Sequence, residues 1–129
     1  MLIDESGSIT GYSKDLIKCI EIIIDTFRTN DNAYISIFPF DNKTRTLAEN
    51  EKSKDFKLNF KLRGGGTNFK EAFARLNRSF ETKRELSQDF IYIPIFLTDG
   101  EDDTTTSCEI MRKMCEMTTD IITMHRWMQ

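Results

Sequence analysis

The sequence predicts an α/β domain built on a doubly wound, mostly parallel sheet with helices on both faces. Strand-like and helix-like apolar patterns alternate along the chain, and one strand-like run, residues 90–97 (FIYIPIFL), is almost unbroken in apolar character. Alternation of this kind is what a parallel sheet with crossover helices requires, and a strand covered on both faces has no solvent side for polar residues. At 129 residues, 39% hydrophobic and 30% charged, the chain has the size and balance of one compact unit. It contains no linker, internal repeat or low-complexity tract that would divide it.

Met1, Leu2 and Ile3 run straight into Asp4-Glu5-Ser6-Gly7-Ser8, the pattern of a buried strand followed by a polar loop. Leu16, Ile20, Ile23, Ile24 and Phe27 then recur at helical spacing, with Ser13 as the expected N-cap. Residues 33–40 (AYISIFPF) are β-branched and aromatic and predict a strand, in which Pro39, lacking an amide hydrogen, belongs at the end or on an edge. Asp41-Asn42-Lys43 supplies turn residues leading to a partner strand at residues 44–47, which makes a hairpin. Residues 49–55 read as a solvated charged segment, and the alternation of Phe56, Leu58, Phe60 and Leu62 suits another extended stretch.

Gly64-Gly65-Gly66 breaks the chain, after which Phe69, Ala72, Phe73, Leu76 and Phe80 mark a second helix. Asn68 and Glu71 form the expected capping box, Asn68 accepting from the backbone and Glu71 reaching back, which leaves the Thr67 hydroxyl available. The central strand is expected at residues 95–98, a third helix at 107–118 and a last strand at 120–124.

The net charge of −3 comes from intermingled acids and bases, with no basic stripe for nucleic acid or anionic lipid. No apolar run is long enough to insert into a membrane. Cys19, Cys108 and Cys115 are odd in number and lack paired CxxC spacing, so they read as core thiols rather than a disulfide framework or zinc site.

In an open doubly wound sheet, ligands bind in the crevice outside the carboxyl ends of the strands. Three polar segments fall there: Asp4-Glu5-Ser6-Gly7-Ser8, Gly64-Gly65-Gly66-Thr67 and Thr98-Asp99-Gly100. Asp4, Ser6, Ser8, Thr67 and Asp99 offer two carboxylates and three hydroxyls, all hard oxygen donors suited to Mg²⁺ or Mn²⁺. Neutral hydroxyls dilute the negative charge, so such an ion stays electrophilic enough to accept a carboxylate from another molecule. Taken singly, the same residues would pass for a polar turn, a helix cap and a loop aspartate; it is their occurrence together that points to a metal.

The DxSxS pattern at Asp4, Ser6 and Ser8, the approach to Thr67 in GGGTNFKEAF and Asp99 in FLTDG resemble the metal-ion-dependent adhesion site of the von Willebrand factor A family. The resemblance implies a Rossmann-like fold and a protein-binding or adhesion module rather than an enzyme, with a partner supplying an acidic side chain. It further implies that Ser6 and Ser8 bind the ion directly, that Thr67 and Asp99 exchange direct and water-mediated contacts, and that Asp4 acts mostly through water. The family has more strand before the first motif and a further helix and strand after the last, so the resemblance implies a copy partial at both ends.

Other chemistries fit less well. A haloacid-dehalogenase-type phosphohydrolase would use Asp4 as nucleophile, but its general acid would fall at Ser6, which cannot deliver the proton. A calcium loop starting at Asp99 would place Thr104 where glycine is needed and Ile110 where glutamate belongs. Gly64-Gly65-Gly66 lacks the Lys-Ser/Thr of a phosphate-binding loop. A scaffold that binds partners without metal is the remaining alternative.

Overall fold

Leu2–Asp4 form the first strand, β1, and the side chains of Leu2 and Ile3, both fully buried, begin two separate core clusters. Successive strand residues face opposite sides of a sheet, so a strand apolar at adjacent positions must be covered twice. The computed structural model describes residues 1–86, 91–98 and 122–123. Helix α1 (Ser13–Arg28) follows a 3-10 segment at Gly7–Tyr12, and β2 (Tyr34–Phe40), β3 (Ala48–Lys52), α2 (Phe69–Leu86), β4 (Ile95–Leu97) and β5 (Ile122–Thr123) complete the order.

The strands form one mixed sheet in the order β3-β2-β1-β4-β5. Strand β1 pairs in parallel with β2 and with β4, and β4 pairs in parallel with β5, while β3 closes the other side antiparallel to β2. The strand at the centre is therefore β1 rather than residues 95–98. One face carries Ile3, Ile35, Ile37, Ile95 and Leu97 against Leu16, Cys19, Ile20 and Ile24 of α1. The other carries Leu2, Phe38, Phe40 and Phe96 against Phe69, Ala72, Phe73 and Leu76 of α2. The molecule is thus an α/β fold with one described helix on each face of its sheet.

Several expectations shift for identifiable reasons. Ser13 is the first residue of α1 and not its cap; the chain enters α1 from the 3-10 segment, Tyr12 occupies the cap position, and no side chain caps it. Pro39 lies in a strand flanked on both sides, but only one residue from its end, and its carbonyl accepts from the Arg45 amide at 2.9 Å. The hairpin exists, yet its second strand is Ala48–Lys52, so most of the charged segment pairs as an edge strand with Glu49, Asn50, Glu51 and Lys52 exposed. Charged, solvated side chains are what keep an exposed edge from recruiting another strand. Residues 56–62 form no strand, although Phe56, Leu58, Phe60 and Leu62 do pack on the α1 side of the core. Pro94, which lacks an amide hydrogen, immediately precedes β4.

The expected helix at residues 107–118, with Cys108 and Cys115, lies outside the described residues. Strand β5 falls within the stretch expected for the last strand. Cys19 is a free, buried thiol, and burial pushes its pKa up from the ordinary thiol value.

Phe96 is the hub of the α2-side core, with ring centroids 5.8 Å from Phe40, 5.1 Å from Phe69 and 4.9 Å from Phe73. Truncation of a buried phenylalanine removes its transfer energy and leaves a cavity, so Phe96→Ala should destabilise the fold by about 3–5 kcal/mol. Urea unfolding of the variant should show a markedly lower midpoint, whereas an unchanged midpoint would mean that Phe96 is not core.

Candidate metal centre

The parallel strands β1 and β4 end side by side, and the chain leaves β1 towards β2 on one side while β4 lies on the other. Asp4 closes β1 with no solvent exposure. Its Oδ1 accepts the Ser6 amide at 2.8 Å, which turns the loop back on itself, and its Oδ2 accepts the Thr98 hydroxyl at 2.9 Å, which ties that loop to the end of β4. A buried carboxylate is stable only when its oxygens are satisfied in this way. Ser6 is buried and Ser8 exposed, and their hydroxyl oxygens stand 3.0 Å apart.

The glycine loop is laced to the first loop by two backbone bonds. Gly7 donates its amide to the Gly65 carbonyl at 2.8 Å, and Gly64 donates to the Glu5 carbonyl at 2.9 Å. Gly64 and Gly65 have φ of 82° and 114°, conformations that L side chains rarely adopt. A Cβ on Gly65 would lie 3.1 Å from Asp41 Oδ2, so the carboxylate occupies the space a side chain would need. Thr67, 5% exposed, follows two residues later at the entrance to α2. Its neighbour Asn68 accepts the Glu71 amide at 3.1 Å, which is half of the expected capping box. The other half is absent: the Asn68 amide donates to the Asp41 carbonyl at 2.9 Å, and the Glu71 carboxylate accepts from Thr44 instead.

The structure therefore gathers Asp4, Ser6 and Ser8 in one loop and sets the loop leading to Thr67 against it. Asp99 lies outside the described residues, and the residue before it, Thr98, is the one that binds Asp4. The donor set of the described residues, one carboxylate and hydroxyl oxygens, is of the hard kind that a small cation takes. The Ser6 and Ser8 hydroxyls are hydrogen-bonded to each other at 3.0 Å, a separation that ligands at adjacent corners of an octahedron with bonds of about 2.1 Å would share. Among the described residues no three His, Cys, Asp or Glu side chains converge as a metal cluster.

Sequence reasoning missed Glu5 and Arg45. Glu5, 1% exposed, accepts Arg45 Nε at 2.8 Å and Arg45 Nη2 at 2.9 Å, and its Oε1 also accepts the Arg63 amide at 2.9 Å. Arg45 is held in turn by the Lys61 carbonyl at 3.0 Å and lies 5.5 Å from the centre of the Phe60 ring. A paired fork of this kind orients a carboxylate as well as neutralising it. No spacing signal links positions 5 and 45, and an acid between two candidate ligands reads as one more loop polar residue.

No family model matches the chain, and no curated protein matches it.

Removing Arg45 would leave the Glu5 carboxylate buried and unpaired, so Arg45→Met should cost about 3–5 kcal/mol, while Glu5→Gln added to it should recover most of the loss. A double-mutant cycle by denaturant unfolding measures the coupling, and additive effects would contradict it. Gly65→Ala should cost about 1–3 kcal/mol in the same assay, because alanine is strained at that φ and meets Asp41.

Proposed function

We propose that this chain is a metal-dependent protein-binding module of von Willebrand factor A type, not an enzyme, in which Asp4, Ser6, Ser8, Thr67 and Asp99 hold Mg²⁺ or Mn²⁺ and the ion docks a carboxylate of a protein partner. The observation that carries this reading is the convergence of Asp4, Ser6 and Ser8 with the glycine loop that leads to Thr67, joined by the Gly7–Gly65 and Gly64–Glu5 backbone bonds. A central β1, flanked by β2 and β4, supports the doubly wound arrangement, in which the crevice beside the switch in strand order is the ordinary ligand site.

The donors favour docking over hydrolysis. Both Asp4 oxygens already accept hydrogen bonds that hold the loop and the end of β4, which suits an outer ligand acting through water better than a nucleophile. Ser6 carries no proton at a useful pKa for a leaving group. A hydroxyl-rich shell leaves the ion electropositive, and a hard cation in that state takes a carboxylate oxygen readily.

Thermal unfolding in EDTA, Mg²⁺ and Mn²⁺ tests the site, because a ligand of the native state stabilises it by mass action. At a metal concentration a hundredfold above Kd the gain should be about 2.7 kcal/mol, seen as a rise of several degrees in Tm. Ser8→Ala, a change at an exposed residue, and Asp99→Ala should each reduce that rise while keeping a cooperative transition. A cooperative transition indifferent to both metals would contradict the proposal.

A further inference from the structure

Between β3 and α2 the chain has no regular secondary structure from residue 56 to residue 68, yet residues 56–63 alternate as a strand does. Phe56, Leu58, Phe60 and Leu62 pack inward on the core, whereas Lys57, Asn59, Lys61 and Arg63 are exposed. None of the described salt bridges involves Lys57, Lys61 or Arg63. Among the described residues, the amides of residues 57–62 also donate to no partner. This strand-like segment thus carries three cations outside any described ion pair, in a chain whose net charge is −3. One backbone edge is occupied where the Lys61 carbonyl accepts from Arg45 and the Arg63 amide donates to Glu5, whereas residues 58, 60 and 62, on the opposite edge, have no described backbone partner, and the segment runs directly into the glycine loop of the candidate centre. The charge pattern hides in the sequence because inward-facing Leu58, Phe60 and Leu62, and the neutral Asn59, separate the bases.

We infer that residues 57–63 are the second half of the partner-docking surface, and that their occupant is an extended acidic segment of a protein partner. The inference rests on the docking function proposed above. The segment pairs its backbone with the edge formed by residues 58, 60 and 62, sets alternate carboxylates against Lys57, Lys61 and Arg63, and brings a terminal carboxylate to the ion. Side chains on one face of an extended chain repeat at roughly 6.6–6.8 Å, so a partner in the same conformation keeps step with the strip over roughly 20 Å. Strand addition of this kind takes affinity from the main chain and specificity from alternate side chains. A single nucleic-acid strand fits less well, because the aromatic rings of Phe56 and Phe60 face the core and leave no stacking platform beside the cations.

The probe is a fluorescent peptide of alternating Glu and Ser, about eight residues long to match the strip, followed by anisotropy in Mg²⁺ and in EDTA. Lys57→Gln, Lys61→Gln and Arg63→Gln combined should weaken binding about tenfold, the sum of three modest surface ion pairs, and flatten its salt dependence. Ser8→Ala and EDTA should weaken it separately. Binding that the triple variant leaves unchanged, but that EDTA abolishes, overturns the strip and leaves the metal reading standing. Binding lost in the triple variant but indifferent to EDTA and Ser8→Ala supports the strip and removes the metal from the docking. Tighter, strip-dependent binding of a single-stranded oligonucleotide of equal charge would overturn the assignment to a protein segment, and no binding of the peptide to the unaltered chain would overturn the strip, while the metal reading is decided by the thermal shift.

Discussion

A carboxylate shut away from solvent, as Asp4 is at the end of β1, persists only where hydrogen-bond donors take the place of water. The Ser6 amide and the Thr98 hydroxyl are those donors, and each has a structural consequence. The first bends the chain so that the Ser6 and Ser8 hydroxyls come together; the second joins that loop to the last residue before Asp99. Every other feature of the candidate centre is arranged around this bend. The two backbone bonds to Gly64 and Gly65 bring in the loop that carries Thr67, and the Arg45 fork secures the residue between Asp4 and Ser6.

The sheet supplies the rigid platform. Adjacent apolar residues in β1 and β4 demand cover on both faces, and α1 and α2 provide it with cores of different character, aliphatic on one side and aromatic on the other. Because β1 lies between β2 and β4, its carboxyl end is fixed laterally from both sides. Asp4 is thus held by the sheet, and the other described candidate ligands, Ser6, Ser8 and Thr67, lie in the segments that follow β1 and precede α2.

Most of the described elements were legible in the sequence because their patterns are strong: the 3.6-residue spacing from Leu16 to Phe27, the apolar spacing from Phe69 to Phe80, the β-branched and aromatic composition of β2 and the nearly unbroken apolar run that holds β4. Departures came where tertiary context outweighs local pattern. Ala48–Lys52 has a polar composition that suits solvent, and only its pairing with β2 makes it a strand. Residues 56–62 have strand periodicity but no partner strand, so the pattern records burial on one face without a ladder. Asp4, Ser6, Ser8 and the Thr67 loop were expected together and are brought together, although the Thr67 loop follows no parallel strand and reaches the end of β1 through the Gly7–Gly65 and Gly64–Glu5 backbone bonds. The Glu5–Arg45 pair was illegible because it joins residues forty positions apart through a contact that only the fold creates.

The most direct measurement of the central claim is anomalous diffraction from crystals of the chain grown with Mn²⁺. The account predicts a single strong anomalous peak bonded to the Ser6 and Ser8 hydroxyl oxygens, at the crevice beside the ends of β1 and β4. A structure from such crystals with ordered Ser6 and Ser8 hydroxyls still bonded to each other, and no anomalous density beside them, would contradict it.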